Sequence, residues 1–530
     1  STRVSRWDSA RERQGMNMRR EADYADLPKE KFEFYQREGD IHDKKLETKP
    51  VGYFKDAMRR FARNKSSVIA AVIIFFLILY ALFVPIFGAN NYTRAATDTT
   101  YLQYARLLPK WKPFAWAGWD GCSDATLSEA DYLARNAIGV ETGMNPIVEV
   151  YREGYEKKGS NSNTLYYDVR LDSYVKNGMI YLTLTPAEYE AIQEWQLEHD
   201  IQVIYPAVDT KKFRTEAQRS DANLWYECSP KGVPKLDKEG NYKPLYKTTG
   251  NDGDYHSRRI EGDDGSYKYA AVAGTSTATS YKVRVFTYTY FQFRYGFEPS
   301  FVFGTNAYGQ DIFTRLAAGA RFSLVFALCI SAINMIIGAF YGAIEGYYGG
   351  ATDITMERIS DILYNVPFVV VVTLFKLHLA NKVGAVPSLL FAFVMTGWIG
   401  MASTTRMQFY RYKNQEYILS ARTLGAGNFR LMFKHIFPNA LGTLITSAVL
   451  MIPGVISSES NMTYLGIVNL DSSTRTSIGS MLSAGRAMIS SFPHIILFPA
   501  LFISLLMISF NLFGNGLRDA FNPSLRGTED

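Results

Sequence analysis

The sequence predicts an α-helical integral membrane protein with six transmembrane helices and a mixed α/β domain inserted between the first and second spans. Uncharged apolar runs lie near both ends of the 530-residue chain, and most of them reach the roughly 20 residues needed to cross a bilayer. A polar block rich in Tyr, Trp, Asp and Gly separates them and contains no such run. The overall composition, 47% hydrophobic and 20% charged, averages these parts and hides the division.

The first 88 residues predict a tail, a surface helix and the first span. Residues 1–52 are charged and have little apolar periodicity, so we expect a solvated cytoplasmic tail. Residues 53–88 begin with a basic amphipathic segment suited to the membrane surface and continue into the uncharged run 68–88. Because basic residues precede this run, the positive-inside rule places its N-terminal side in the cytoplasm.

Residues 89–300 predict a domain on the extracytoplasmic side. A capping-box pattern at Thr185 and Glu188, with Pro186 between them, predicts a helix that ends near His199. Residues 231–274, dense in Gly, Asp and Lys, predict a loop. Runs of β-branched and aromatic residues predict strands over 164–170, 179–184, 201–205 and 281–291.

Residues 301–530 predict the permeation core, with spans at 322–344, 362–375, 383–405, 436–458 and 488–513. The span at 362–375 is the shortest of these. Six crossings from a cytoplasmic N-terminus return the C-terminus to the cytoplasm. The loop 406–438 is then cytoplasmic, in agreement with its many basic residues and its single acidic residue, Glu416.

This loop has more pattern than a connection between two spans requires. Tyr417, Ala421 and Leu424 fall on one face of a short helix. Gly425 and Gly427 follow, and glycine permits the positive φ with which a helix commonly ends. We expect a docking surface for another protein. The alternative is an amphipathic helix that lies on lipid.

The loop also resembles the "EAA" loop of ATP-binding-cassette importer permeases, which forms the coupling helices in a cleft of the cytoplasmic ATPase. The resemblance covers residues 420–425 and 434–439. Leu419 and Ser420 depart from it, because they stand where the motif has Glu and Ala. The resemblance implies that ATPase coupling involves Glu416, Ser420, Ala421, Arg422, Leu424, Gly425, Gly427, His435 and Pro438.

Other stretches resemble the C-type permeases of oligopeptide, dipeptide and nickel transporters. Residues 303–324 match a long segment of that family, with Asn306 and Gln310 in place of its Asp and Arg. Residues 53–65 resemble its lead-in to the first span, and residues 510–523 resemble its C-terminal signature. The inserted block and the N-terminal tail lie outside the resemblance.

The resemblance implies a type I importer permease in a bacterial cytoplasmic membrane, which forms half of a peptide pathway. Its expected partners are a homologous B-type permease, two ATP-binding-cassette ATPases, an extracellular substrate-binding protein and the lipid bilayer. ATP and Mg²⁺ would bind to the ATPases, and we expect no cofactor on this chain. Alternating access is the implied mechanism.

The motifs of several other functions are absent from the sequence. It contains no phosphate-cradling G-x-x-x-x-G-K-[ST] loop and no HExxH, CxxC or GxSxG motif, so we expect no catalytic residue and no metal site. The net charge of +6 is modest, and its basic residues lie beside apolar runs, so nucleic-acid binding is not expected. A multi-span receptor or adhesion protein acting through its extracellular domain is the alternative function.

Three residues are candidates for the translocation pathway. Glu459 follows the fifth predicted span, and a carboxylate beside hydrocarbon is a functional candidate. The alternative is a helix-end acid in headgroup water. Pro367 and Pro453 are expected to kink spans that line the pathway, or to be tolerated bends. The identity of the substrate stays open at this point, since a peptide, a metal chelate or a glycoside would suit such a pathway.

The inserted block gives two further hypotheses. Cys122 and Cys228 both lie in it, where disulfides persist, and they are either bonded to each other or two unrelated buried thiols. Aromatic residues recur throughout the block and are typical anchors of protein interfaces. We therefore expect residues 89–300 to help seat the substrate-binding protein or to contact the partner permease. The alternative is a passive insertion.

Overall fold

The computed structural model describes residues 53–88, 99–156, 165–207, 220–223, 226–227, 238, 255–256, 263–275, 278–472 and 475–521. The predicted tail, residues 1–52, lies outside them. Helix α1 (Tyr53–Arg63) agrees with the predicted surface helix, and α2 (Lys65–Phe87) with the first span.

A mixed α/β region follows α2, as predicted from the alternation of strand and helix signals. Its elements are β1 (Cys122–Ser128), α3 (Glu129–Thr142), β2 (Ile147–Glu156), β3 (Leu165–Asp172), β4 (Met179–Leu184), α4 (Pro186–His199), β5 (Ile204–Tyr205), β6 (Tyr226–Glu227), β7 (Tyr255–His256), β8 (Ala270–Thr275), β9 (Ala278–Phe286) and α5 (Thr287–Tyr295). Antiparallel pairing gives one sheet of order β1-β3-β2 and a second of order β4-β9-β5, in which β8 also pairs with β9.

Local sequence signals account for much of this region. The capping box at the start of α4 forms as predicted, with Thr185 and Glu188 each satisfying a backbone N–H of the other. An ion pair joins the second sheet to α3. Arg284 of β9 donates to both carboxylate oxygens of Glu141 on α3, at 2.7 and 2.9 Å. The Arg284 side chain is fully buried.

Three predictions for this region were wrong. The strand predicted over 281–291 ends at Phe286, and α5 continues from Thr287. Residues 287–291 are all buried, so the alternation that a half-buried strand requires stops there. The strand predicted over 201–205 pairs only at Ile204–Tyr205. Residues 270–274, which were expected to lie in a loop, belong to β8, because pairing with β9 supplies their hydrogen bonds.

The membrane part consists of long apolar helices. In chain order they are α6 (Ile312–Tyr348), α7 (Gly350–Tyr364), α8 (Phe368–Val383), α9 (Ala385–Tyr412), α10 (Glu416–Thr423), α11 (Asn428–Tyr464), α12 (Ile478–Gly485) and α13 (His494–Phe521). Among the described residues, α2, α6, α9, α11 and α13 are each long and apolar enough to cross a bilayer. The helices α7 and α8 make a sixth candidate if the pair is one span, bent by 74°.

The boundaries of several predicted spans need correction. The short span predicted over 362–375 is the bent pair α7 and α8, since the residue before Pro367 is restricted away from helical geometry. The loop predicted over 406–438 is shorter, because α9 continues to Tyr412 and α11 begins at Asn428. Phe409 and Leu431, which lie at the two ends of the predicted loop, are buried. Burial of these apolar side chains favours helix at both ends, although the basic residues there suggested a loop.

Small residues allow a close helix contact in the membrane part. Gly338, Gly342 and Gly346 recur every four residues along one face of α6, which packs against α9. A Cβ added at these positions would lie 2.6, 2.1 and 2.7 Å from backbone carbonyl oxygens of α9. Such small-residue faces allow membrane helices to approach closely. The contact fixes the C-terminal parts of α6 and α9 relative to each other.

Candidate functional site

The predicted coupling loop is a compact helical turn between α9 and α11. Helix α10 ends at Thr423, and Gly425 then adopts a φ of +84°. Ala426 N donates to Ala421 O at 3.1 Å and Gly425 N donates to Arg422 O at 3.0 Å. This is the Schellman arrangement that glycine favours at the end of a helix. The positive φ predicted for Gly427 was wrong. Gly427 has a φ of −69° and is the N-cap residue of α11.

One side of this loop is anchored in the membrane helices. Ile418 of α10 is fully buried, together with Leu431 and Ile436 at the start of α11. These side chains pack with Tyr347 of α6 and Phe409 of α9 in one apolar cluster. The Tyr347 hydroxyl also donates to Asn428 Oδ1 at 2.8 Å. The loop is therefore packed against the ends of α6 and α9, and a displacement of the loop would be transmitted to them.

The opposite side of the loop presents apolar side chains outward. Leu424 is 88% exposed and Phe429 is 75% exposed. Tyr417 is also exposed, so two members of the predicted face of Tyr417, Ala421 and Leu424 point outward, while Ala421 is half-buried and the neighbouring Ile418 is buried in the cluster. Of the predicted coupling residues, Ala421 and His435 are half-buried, and the exposed ones are Glu416, Ser420, Arg422, Leu424, Gly425, Gly427 and Pro438.

A cluster of charged residues joins α6, α7 and the C-terminal end of α9, and sequence reasoning missed it. Arg406 of α9 donates to both carboxylate oxygens of Asp353 on α7, at 2.6 and 2.8 Å, and to Glu357 at 2.9 and 3.2 Å. Glu345 of α6 lies 3.7 Å away, and the Tyr410 hydroxyl donates to Asp353 at 2.6 Å. The available signal was the spacing of Asp353 and Glu357, which places two carboxylates on one helical face.

A cavity of about 540 Å³ opens among α6, α8, α9 and α11. Among the described residues, no charged side chain lines it. Pro367, predicted to line the pathway, lies at the break before α8 and does line this cavity. Pro453 is buried within α11 beside Gly454, and Gly454 is the one that faces the cavity. The polar groups of the lining come from Asn334, Tyr364, Thr396 and Ser458.

Asn334 is the most deeply buried of these polar residues, at 1% exposure. Within the described part of the chain, its Oδ1 atom has no hydrogen-bond partner. An unpaired amide oxygen in a buried position costs free energy unless a ligand or water satisfies it. The cavity therefore has a hydrogen-bond acceptor suited to an N–H donor.

Glu459 lies elsewhere, in a closed polar pocket. Its carboxylate is fully buried and accepts hydrogen bonds from the hydroxyls of Ser323 at 3.0 Å and Thr463 at 3.2 Å. A location in headgroup water, the alternative considered above, is therefore excluded in this structure. The predicted role of Glu459 in the pathway stays a prediction, and the structure places its carboxylate in contacts between α6 and α11.

Cys122 has a free thiol in the structure and donates to the backbone oxygen of Asp120 at 3.7 Å. Burial, with the nearby Asp172 and Asp120 carboxylates, raises the pKa of this thiol to about 11. Cys228 lies outside the described residues. The disulfide between them stays a prediction.

Comparison with known proteins adds the family to this geometry. Residues 334–527 match the family described as binding-protein-dependent transport system inner membrane component. Residues 52–109 match the N-terminal TM domain of oligopeptide transport permease C. The two matches cover the first span and most of the membrane core, and much of the α/β region lies outside them.

Curated relatives match about two fifths of the chain. An oligopeptide transport system permease protein of Bacillus subtilis is 41% identical over 42% of this chain and 72% of its own length. A dipeptide transport system permease protein of the same organism is 39% identical over 42% of this chain and 69% of its own length. An oligopeptide transport system permease protein of Haemophilus influenzae is 38% identical over 42% of this chain and 70% of its own length.

Proposed function

Because this chain belongs to the family of C-type permease subunits of binding-protein-dependent oligopeptide and dipeptide importers, we propose that it forms half of a peptide pathway and couples it to partner ATPases. The family makes it a multi-pass protein of the cytoplasmic membrane and the transmembrane subunit of the importer. ATP and Mg²⁺ would bind to the partner subunits.

One observation carries the coupling proposal: the loop is anchored on one side and apolar on the other. Leu424 and Phe429 project from a turn whose inner face is packed onto α6 and α9. Exposed apolar side chains on a rigid support are typical of protein docking sites. The proposed occupant is a cleft of the ATPase. Movement of the ATPases would then displace the loop and, with it, the ends of α6, α9 and α11.

The cavity supports the peptide part of the proposal. A lining without charge imposes no strong preference for the charges of a substrate's side chains. The buried Asn334 amide and the hydroxyls of Thr396 and Ser458 can hydrogen-bond to a peptide backbone, which every peptide shares. A homologous B-type permease would close the other half of this pathway, and an extracellular binding protein would deliver the peptide.

The orientation follows from charge. The excess of basic residues in the loop around α10 favours a cytoplasmic location, which places both termini in the cytoplasm and residues 89–300 on the extracytoplasmic side. There the α/β region lies beside the outer end of the pathway, where we propose that it contacts the binding protein or the B-type permease.

Substitution of Leu424 tests the docking surface. Leu424→Asp places a charge where an apolar contact is proposed, and the residue is 88% exposed, so the fold should tolerate it. We expect the variant to reach the membrane but to lose co-purification of the ATPases. The matched control is Leu197→Asp in the α/β region, which is 87% exposed and should retain them. Unchanged ATPase recovery with Leu424→Asp would reject this surface.

A further inference from the structure

We propose that residues 111–118, here called the aromatic turn, insert their rings into the lipid interface at the end of the membrane where α13 begins. The partner surface is the boundary between headgroups and acyl chains. This proposal depends only on α13 being a membrane helix, and it holds for either orientation of the chain.

The first observation is exposure. All residues of the aromatic turn are exposed, and Trp116 is 84% exposed. Trp111 and Phe114 are 43% and 42% exposed. Large apolar side chains gathered at one exposed place mark an interaction site rather than ordinary water-facing surface.

The second observation is that the rings are already arranged. Phe114 stacks on Trp111 with ring centroids 5.0 Å apart, and on Trp116 at 6.4 Å. Phe114 and Trp116 lie in a six-residue 3₁₀ segment, Lys112–Ala117, which follows Trp111 and is kinked at Phe114, and Gly118 ends the segment with a φ of +91°. Rings fixed in this way lose little conformational freedom on binding, which favours association.

The third observation places the turn at the membrane boundary. Trp119 follows the turn, and its ring lies 6.0 Å from that of Phe498 on α13. Its Nε1 donates to Val302 O at 2.7 Å. Phe498 lies in the second turn of α13, which begins at His494. The ring centroids of Phe114 and Trp119 are 6.3 Å apart, so Trp119 connects the exposed rings to Phe498 of the membrane helix α13.

The chemistry of the turn fits a lipid interface. Tryptophan concentrates at the headgroup level because its ring is apolar and its N–H is polar. The Lys112 side chain is 91% exposed and can extend its ammonium toward lipid phosphates, as lysine does at interfaces. Its pairing with Glu298, 3.8 Å away and 58% exposed, is too solvated to prevent this. A water-facing protein surface would need neither the exposed tryptophan nor the neighbouring lysine.

Tryptophan quenching by lipid tests the proposal. The full chain is assembled with its partner subunits in nanodiscs whose lipids have bromine near the headgroup end of the acyl chains, or in nanodiscs of unbrominated lipid. The emission lost in Trp116→Phe, relative to the unmodified protein, reports on Trp116. The matched control is Trp195→Phe, since Trp195 packs on His199 and Phe293 inside the α/β region.

We expect the emission of Trp116 to be at least twofold weaker in brominated lipid than in unbrominated lipid. The emission of Trp195 should be the same in both lipids. Trp116 emission that is insensitive to bromine but quenched by aqueous iodide would show a water-facing ring and overturn the proposal. Emission insensitive to both quenchers would show that protein, such as the partner permease, covers the turn, and would also overturn it.

Discussion

Arg406 and Asp353 form a two-point ion pair, with Nε–Oδ1 and Nη2–Oδ2 distances of 2.6 and 2.8 Å, which ties the C-terminal end of α9 to α7. The residues are 53 positions apart, and neither belongs to the motif of the coupling loop. Because the same end of α9 packs under the loop, this pair connects the proposed ATPase surface to the bent helices that border the cavity.

Arg406→Ala should destabilise the membrane part. Asp353 and Glu345 are 8% and 4% exposed and would be left without their cation. Loss of charged hydrogen bonds at such partly buried sites costs about 2 to 3 kcal/mol. We expect a lower midpoint of thermal unfolding for the purified transporter.

Arg358→Ala is the matched control for Arg406. Arg358 pairs with Asp361 at 3.1 Å, but the two side chains are 74% and 50% exposed. Its loss should cost at most about 0.5 kcal/mol. Equal midpoints for the two variants would contradict a structural role for the Arg406 cluster.

Gly425→Asp should leave the chain in the membrane and uncouple ATP hydrolysis from uptake. The φ of +84° at Gly425 costs about 1 to 2 kcal/mol for a residue with a β-carbon, so the turn that presents Leu424 should shift. The measurement is the ratio of ATP hydrolysis to peptide uptake in proteoliposomes.

Gly427→Asp introduces the same charge two residues away and is the control. Gly427 has an ordinary φ of −69° at the N-cap of α11, a position where Asp is favourable. Although Gly427 is also a predicted coupling residue, we expect this variant to uncouple ATP hydrolysis from uptake less than Gly425→Asp does. If both variants uncouple equally, charge and not backbone geometry is responsible, and our account of Gly425 is wrong.

Gly454→Trp should block the pathway. A Cβ at Gly454 would meet nothing within 4 Å, so the indole would extend into the 540 Å³ cavity without disturbing the helix. We expect peptide uptake to fall at least tenfold while the ATPases remain bound. Gly454→Ala adds only a methyl group and should import normally. Normal uptake by Gly454→Trp would show that peptides pass elsewhere.

The predicted bond between Cys122 and Cys228 would close a loop of about 105 residues and stabilise the fold by about 4 to 5 kcal/mol in the chain-entropy model. Because its pKa is about 11, an unbonded Cys122 is protonated at neutral pH and reacts slowly with maleimides, so poor labelling does not reveal a bond. We expect linked peptides in non-reducing mass spectrometry. Two free thiols would refute the bond.

Deletion of the α/β region should weaken docking of the binding protein and lower uptake while ATPase assembly persists. The cut at 91–300 that the sequence suggests would remove Leu107 and Trp119, which donate hydrogen bonds to Thr305 and Val302. We would therefore keep residues 99–121 and join them by a Gly/Ser bridge to residue 299. The ends are close, because Gly121 N donates to Pro109 O at 2.9 Å and the Ser300 hydroxyl donates to the adjacent Lys110 O at 2.9 Å. Undiminished docking and uptake would assign the region another purpose.

The sequence was informative wherever structure depends on neighbouring residues. The capping box at Thr185 and the positive φ of Gly425 are short-range features, and both were predicted correctly. The apolar runs located the membrane helices because a helix crosses a bilayer when about 20 consecutive residues are predominantly apolar. The family resemblance was also a matter of consecutive residues, and the comparisons confirmed it.

Only the tertiary structure decided which residues meet across the fold. Arg406 reaches Asp353, and the amide of Asn334 faces a cavity, because glycines 338, 342 and 346 bring α6 against α9. Ile418 is buried, and Leu424 is not, although both are apolar residues of one short segment. Burial depends on which other helices pack against a segment, and those contacts are long-range, so the sequence determined the class of protein and its spans while helix packing determined the site.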